Sequence, residues 1–327
     1  LGLLGTGHNP LRASLRHRGI SHKFFFSCNF IPLCMQSLLR DRKPFGRKNA
    51  SLMQEENLPY NSTVLSSMER DQLVISLKGV SKKFCRNLKR SMFYGLSDVF
   101  RVMAGLSPPN YRIRKHEFWA IKDVTFDIAR GGILGLMGQN GSGKTTLLRM
   151  LAGILPPDRG EILVKGRIAS LIALGAGFHP HMTGRENIFL NATLLGMGRE
   201  HIHAFVPDII DFSELEDFID SPVATYSSGM RIRLGFAIAV QSKPTVFLID
   251  EALAVGDQRF KLKCFRELER IAESTTVIIA SHSAQRVSRL CQSIKIMEKG
   301  KIIYASDNVQ EGIAYYHSKL GVHKDNC

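Results

Sequence analysis

The stretch Gly138-Gln139-Asn140-Gly141-Ser142-Gly143-Lys144-Thr145 decides how this chain is read. It follows a short apolar run, 133–137, with the character of a buried strand, and it precedes Leu147, Leu148 and Leu151 at helical spacing. A glycine-rich GxxxxGK[ST] loop in that setting wraps its backbone round a polyphosphate, so that several N–H groups and a helix N-terminus point at the anion. Lys144 then neutralises the β- and γ-phosphates, and the Thr145 hydroxyl coordinates Mg²⁺. The candidate binding set is Gly138, Asn140, Gly141, Ser142, Gly143, Lys144, Thr145 and Thr146.

Moving towards the C-terminus, Val246-Phe247-Leu248-Ile249 is a continuous apolar run that ends in Asp250-Glu251. Such a run fits a strand buried on both faces, and ligands bind at the C-terminal ends of such strands in open α/β sheets. Asp250 is expected to hold the hydration shell of Mg²⁺, and Glu251 to polarise the attacking water. Tyr226-Ser227-Ser228-Gly229-Met230 opens a helical pattern and offers a second anion site or an ordinary N-cap. A further strand, 277–280, runs into Ser281-His282 and places an imidazole beside the other strand ends. Residues 294–297, a turn at Glu298-Lys299-Gly300 and residues 301–304 are expected to form a terminal hairpin.

On the N-terminal side, 73–77 reads as a strand and 121–128 alternates apolar with polar residues, as a half-buried strand does. Between them, 85–115 is an insertion. Leu88, Met92, Phe93, Leu96, Val99, Phe100 and Met103 fall at helical spacing with Lys89, Arg90 and Arg101 among them, until Gly105 and Pro108-Pro109 end the helix. A basic amphipathic helix lies on a membrane surface, meets a partner, or packs on its own domain. The pattern alone does not choose.

The chain has 327 residues, enough for a sizeable core, and 44 Lys+Arg against 29 Asp+Glu give it a net charge of +15. Residues 1–52 hold +8 of that, which leaves the body only mildly basic. Residues 24–39 lean apolar, but Ser27, Asn29 and Pro32 interrupt them and no small-residue cleavage site follows. Residues 1–67 are therefore expected to be a disordered or non-native extension rather than a targeting segment. Cys28, Cys34, Cys85, Cys264, Cys291 and Cys327 form no CxxC pair, which speaks against a disulfide framework or zinc site and for a reducing compartment. No stretch approaches the ~18 consecutive apolar residues of a bilayer span.

The order of phosphate loop, Ser-Ser-Gly helix start, Asp-Glu and His resembles the nucleotide-binding subunit of an ATP-binding-cassette transporter, over about residues 73–316. Tyr226-Ser227-Ser228-Gly229-Met230 stands where LSGGQ is more common. That variant, with Gly175-Ala176-Gly177-Phe178-His179-Pro180, Thr183-Gly184-Arg185-Glu186-Asn187 and Glu251-Ala252-Leu253-Ala254-Val255-Gly256-Asp257, is similar to the branch that exports O-antigen, capsule and teichoic-acid polysaccharides. The resemblance implies an α/β fold: a P-loop NTPase of the cassette type over 68–318, with a helical signature subdomain at about 185–240, an antiparallel β subdomain and a C-terminal tail, 319–327. It implies ATP and Mg²⁺, with Glu251 and His282 catalytic, and a homodimer in which Ser228 and Gly229 contact the γ-phosphate held by the opposite subunit. His282 then senses the same phosphate, and Asp257 lies in the loop linking the two sites. An integral membrane permease is the implied partner, with the polysaccharide reached indirectly, no nucleic acid bound, and a peripheral position on the cytoplasmic face of the inner membrane. The insertion would face the membrane and the transport channel.

The resemblance departs in two places. The family's glutamine after the sheet strand, which contacts Mg²⁺ and couples to the membrane subunit, falls on Leu174, and the Glu often found one residue earlier is Ala173. The adenine-stacking aromatic is Phe118 or Trp119, with Trp119 carried in the site set, although both also read as core residues of the following strand. A soluble cassette ATPase acting on ribosomes or nucleic acid is the competing reading; a single cassette, no heptads and a mildly basic body weigh against it. Intact Lys144, Asp250, Glu251 and His282 weigh against a non-catalytic protein on the same fold.

Overall fold

A computed structural model describes residues 72–105, 113–173, 177–250 and 258–320. Along the chain its elements are β1 (Leu73–Cys85), α1 (Leu88–Met103), β2 (Glu117–Ala129), β3 (Ile133–Met137), α2 (Lys144–Leu151), β4 (Arg159–Val164), β5 (Ile168–Ser170), α3 (Gly184–Leu194) and α4 (Arg199–Ser213). They continue as α5 (Ser228–Gln241), β6 (Val246–Ile249), α6 (Gln258–Ile271), β7 (Thr276–Ser281), α7 (Ala284–Leu290), β8 (Ser293–Glu298), β9 (Lys301–Ser306) and α8 (Val309–Leu320). The fold is α/β, with two sheets among the described residues.

The larger sheet has the order β5-β6-β7-β3-β8-β9, parallel up to β8, with β9 returning antiparallel as the hairpin expected from the sequence. Its central strands β3, β6 and β7 are buried at every position, because a continuous aliphatic run leaves no wet face. Alternate residues serve two cores. Phe247 and Ile249 pack with Phe236, Phe260 and Leu268 on one side, while Val246 and Leu248 face Leu147, Leu148, Leu77 and Ile121 on the other. Each fully buried side chain of this size contributes about 1.5–3 kcal/mol. The smaller sheet, β2-β1-β4, is antiparallel and covers the second core. β1 runs on to Cys85, opposite Glu117, so the helical excursion starts just beyond the position read from the sequence.

The helices α3, α4 and α5 enclose a third core around Ile188, Ile202, Ile209, Leu234 and Ile238. The five residues Thr183–Asn187 build its entrance through four interactions, Thr183 and Glu186 sharing one. Thr183 caps α3 and forms a capping box with Glu186. Arg185 pairs with Asp220 at 2.8 Å. The fully buried Asn187 accepts from the His179 amide at 2.7 Å and donates to the carbonyls of His179, Met182 and Thr183, so the 179–183 turn is stapled to α3. Gly184 lies against the Tyr226 hydroxyl, which in turn donates to the Phe218 carbonyl at 2.7 Å.

The helix α1 is the exception to this close packing. Leu88, Met92, Phe93, Leu96, Val99, Phe100 and Met103 are 56–76% exposed, so of the alternatives its pattern leaves open, packing of this side on its own domain is not seen among the described residues. Its single acid, Asp98, is held by Arg114, whose guanidinium also lies over the Tyr94 ring. Lys89, Arg90 and Arg101 therefore stand beside an uncovered apolar surface.

A methyl group on Gly184 would collide with the Tyr226 hydroxyl and meet the Ile219 carbonyl at 3.0 Å. Gly184→Ala is expected to destabilise the chain by ~1–3 kcal/mol, as overpacking does, and Tyr226→Phe should recover part of that loss in the double variant. Urea denaturation of the three variants checks both limbs; an additive double variant would contradict the contact.

Candidate functional site

The phosphate loop leaves β3 and enters α2 with almost no room around its backbone. A Cβ on Gly138 would strike the Met297 carbonyl, and one on Gly143 would lie 2.6 Å from the Ala120 carbonyl, with Gly143 itself at φ 110°. Only glycine satisfies both constraints at Gly143. Gly141, at φ 81°, meets nothing, so its backbone is open to an incoming group. The loop is tied from below by Gly300, whose N–H donates to the Ser142 carbonyl at 2.9 Å. The first turn of α2 has no side-chain cap, which leaves N–H groups of Thr145 and Thr146 directed outward.

Lys144 is buried, and its amine donates to the carbonyls of Gly138 and Gln139 at 2.8 and 3.1 Å. The cation is thus held inside the curve of the loop. Among the described residues, Ser142 Oγ is buried with no hydrogen-bond partner. Such an orphaned hydroxyl costs free energy unless a ligand completes it. A glycine-lined cradle, an interior cation, open N–H groups and an orphaned hydroxyl together fit a polyphosphate.

Sheet order brings the other candidates to the same edge. β7 lies between β6 and β3, with Ile249 opposite Ile279 and Met137 opposite Ser281. Neighbouring strands are ~4.8 Å apart, so the ends of β6 and β3 are separated by about 10 Å. Asp250 follows β6, His282 follows β7 and the phosphate loop follows β3. Asp250 is half-buried and His282 is exposed. Thr145, half-buried on the first turn of α2, and Asp250 supply hard oxygen donors of the kind Mg²⁺ takes. Glu251, Asp257 and Leu174 lie outside the described residues, as do residues 1–71 and 321–327.

At the signature segment, Ser227 is the N-cap of α5 and its hydroxyl accepts from the Met230 amide at 3.1 Å. Ser228 is exposed and Gly229 half-buried at the helix start. Tyr226 is the residue whose importance the sequence hid: its ring is buried, and its hydroxyl fixes the segment to the 216–218 turn. Burial raises its pKa. Phe118 and Trp119 are not core residues. Phe118 is 39% exposed with Arg86 over its ring, and Trp119 is half-buried with the Arg159 guanidinium 5.6 Å from its centroid. Burial pushes the Cys264 and Cys291 thiols up to about 12, so neither is a nucleophile at neutral pH.

Because Ser142 Oγ has no partner, Ser142→Ala is expected to raise the stability of the nucleotide-free chain by ~1 kcal/mol. The same variant should gain less thermal stabilisation from added Mg-ATP than the parent. Chemical denaturation and thermal-shift measurements report the two effects separately.

The profile of the "ABC transporter" family matches residues 121–254. The O-antigen export system ATP-binding protein RfbB of Klebsiella pneumoniae is 42% identical over 191 residues, 58% of this chain and 78% of that protein. The teichoic acids export ATP-binding protein TagH of Listeria monocytogenes is 41% identical over 229 residues, 70% of this chain and 65% of that protein. The fold is shared with a solved ATP-binding subunit of an ABC transporter, at a TM-score of 0.58 and 19% identity, over 77% of this chain and 95% of that one. On this likeness in sequence and in fold, the chain belongs to the ABC transporter family, as an ATP-binding-cassette protein.

Proposed function

We propose that the chain is the ATP-hydrolysing subunit that powers export of a lipid-linked polysaccharide, together with a separate integral membrane permease. One observation carries the enzymatic part: the phosphate loop, Asp250 and His282 leave adjacent strands β3, β6 and β7 at one sheet edge. The polysaccharide part is supported by relatives named for O-antigen and teichoic-acid export, which favour it over a soluble cassette acting on ribosomes or nucleic acid.

In this reading the Gly138–Thr146 backbone and Lys144 hold the β- and γ-phosphates, and Trp119 stacks on adenine. Mg²⁺, when bound, neutralises phosphate charge, with Thr145 and Asp250 as its protein contacts. Glu251 accepts a proton from the attacking water as the water oxygen bonds to the γ-phosphorus and the bond to the β-phosphate oxygen breaks, releasing ADP and phosphate. His282 faces the γ-phosphate. Ser228 and Gly229 of one copy close over ATP held by a second, so ATP joins a homodimer. Among the described residues no helix is long and apolar enough to cross a membrane. By the likeness to export-system ATP-binding proteins, the crossing is assigned to the permease and the cassette to the inner membrane's cytoplasmic face. The uncovered apolar and basic surface of α1 is assigned to contact with that membrane partner.

Glu251→Gln keeps the size of the side chain and loses its basicity, and general-base catalysis is worth about 10²–10⁴ in rate. The variant should bind ATP, lose turnover and become an ATP-dependent dimer, whereas Lys144→Ala should lose nucleotide affinity and stay monomeric. Size-exclusion chromatography with light scattering, with and without Mg-ATP, reads both; wild-type turnover by Glu251→Gln would sink the base assignment. Replacing Phe93, Leu96 and Phe100 with Ser should leave ATP binding intact and weaken assembly with the permease in co-purification. Unchanged assembly would remove α1 from that interface.

A further inference from the structure

Glu214 ends α4 in the left-handed conformation, at φ 55° and ψ 47°. Glycine or asparagine is the usual residue at such a helix end, since a Cβ is disfavoured there. What glutamate provides is two carboxylate oxygens used separately. Arg233 of α5 donates to Oε2 at 2.9 Å, and Lys263 of α6 donates to Oε1 at 3.2 Å and to the Asp211 carbonyl at 3.3 Å. Each cation also crosses to a ring on another helix: Arg233 lies 4.7 Å from the Phe260 centroid, and Lys263 lies 4.8 Å from that of Phe212. Beneath the ions, Phe260, Phe212, Phe236 and Phe247 form a continuous line of ring contacts at 5.8–5.9 Å.

That line starts on α6 and ends on β6, three positions before Asp250. One joint thus fastens the signature helix α5, which carries Ser228 and Gly229, to the two elements that flank residues 251–257. We propose that Glu214 is a positioning residue for hydrolysis, keeping the Ser228-Gly229 helix start in fixed register with the Asp250 strand end. The proposal rests on the ATPase reading and extends it. Because Ser228-Gly229 serves the nucleotide of the opposite copy, the joint transmits closure at one site to the catalytic carboxylates of the other. The ion pairs and ring contacts described above involve none of the residues assigned to hold the nucleotide, so the joint is expected to act on the geometry of turnover and not on binding.

Glu214→Gly tests this directly, because glycine adopts φ 55° freely and the substitution removes the side chain with its carboxylate without straining the backbone. Full-chain Glu214→Gly, Lys263→Gln and the double variant are compared with wild type in steady-state Mg-ATP hydrolysis and thermal unfolding. The kcat of Glu214→Gly should fall roughly 10–100-fold, the scale of loss from a small misplacement, with KM for ATP within about twofold. Its melting temperature should not fall, and the double variant should lose no more than Glu214→Gly alone. Wild-type kcat in Glu214→Gly overturns the proposal, as does a lost kcat that tracks a lowered melting temperature or fully additive losses. Lys263→Gln keeps the test open if the glycine variant fails to fold. A wild-type chain that binds ATP without turnover overturns the ATPase reading and this proposal with it, whereas an active wild type with an equally active Glu214→Gly overturns this proposal alone.

Discussion

The close approach of three backbone segments at the phosphate loop is the constraint on which the rest of the structure depends. Gly143 packs against the Ala120 carbonyl of β2, Gly138 against the Met297 carbonyl of β8, and Gly300 again against Ala120, where a Cβ would lie 2.6 Å from the oxygen. Two hydrogen bonds close the arrangement, from Gly300 N–H to the Ser142 carbonyl at 2.9 Å and from the Lys122 N–H to the Gly300 carbonyl at 2.8 Å. The loop is therefore held by neighbouring main chain from outside and by the Lys144 amine, bonded to the Gly138 and Gln139 carbonyls, from inside. An anion meets a set of donors already in place instead of one it must organise. The same contacts join the antiparallel sheet to the parallel one, so anion site and subdomain junction are a single feature.

The helical unit is assembled on a different principle. Its core is apolar, but its attachment to the 179–183 turn is polar, with the Asn187 amide oxygen accepting from the His179 N–H and its nitrogen donating to three carbonyls of that turn. A buried amide so fixed specifies one arrangement, because any shift strands a donor or acceptor in the interior. Tyr226 does the same for the signature segment, through one bond to the Phe218 carbonyl. The second anion-ready helix start is therefore carried on a unit with a defined position, attached to the sheet by α4, α5 and their aromatic contacts with β6.

Parts of this organisation were plain in the amino-acid order, and the reason is locality. A strand buried on both faces must be apolar throughout, so β3, β6 and β7 were readable with nearly their observed limits. The loop glycines, Lys144 and Thr145 declare themselves because the chemistry of wrapping a phosphate acts within eight residues. The helix α1 was equally legible from its spacing. What the spacing could not say was whether its apolar side is covered, and 56–76% exposure of those residues answers that. Strands β4 and β5 went unread for the opposite reason: β4 is a partly exposed strand with mixed composition, and β5 has only three residues, too few for a period to show.

The sequence by itself determined which residues could bind a phosphate, hold a cation or present an imidazole, since each rests on a local motif of fixed spacing. Only the tertiary structure decided that those motifs meet. The order β6-β7-β3 places Asp250, His282 and the phosphate loop together although they are more than a hundred residues apart in the extreme case, and that order follows from long-range pairing that no local pattern encodes. Glu214 is the clearest instance. Nothing around it in the sequence marks it, yet its two oxygens join helices that begin at residues 228 and 258, because packing of α4 against α5 and α6 brings Arg233 and Lys263 to the same carboxylate.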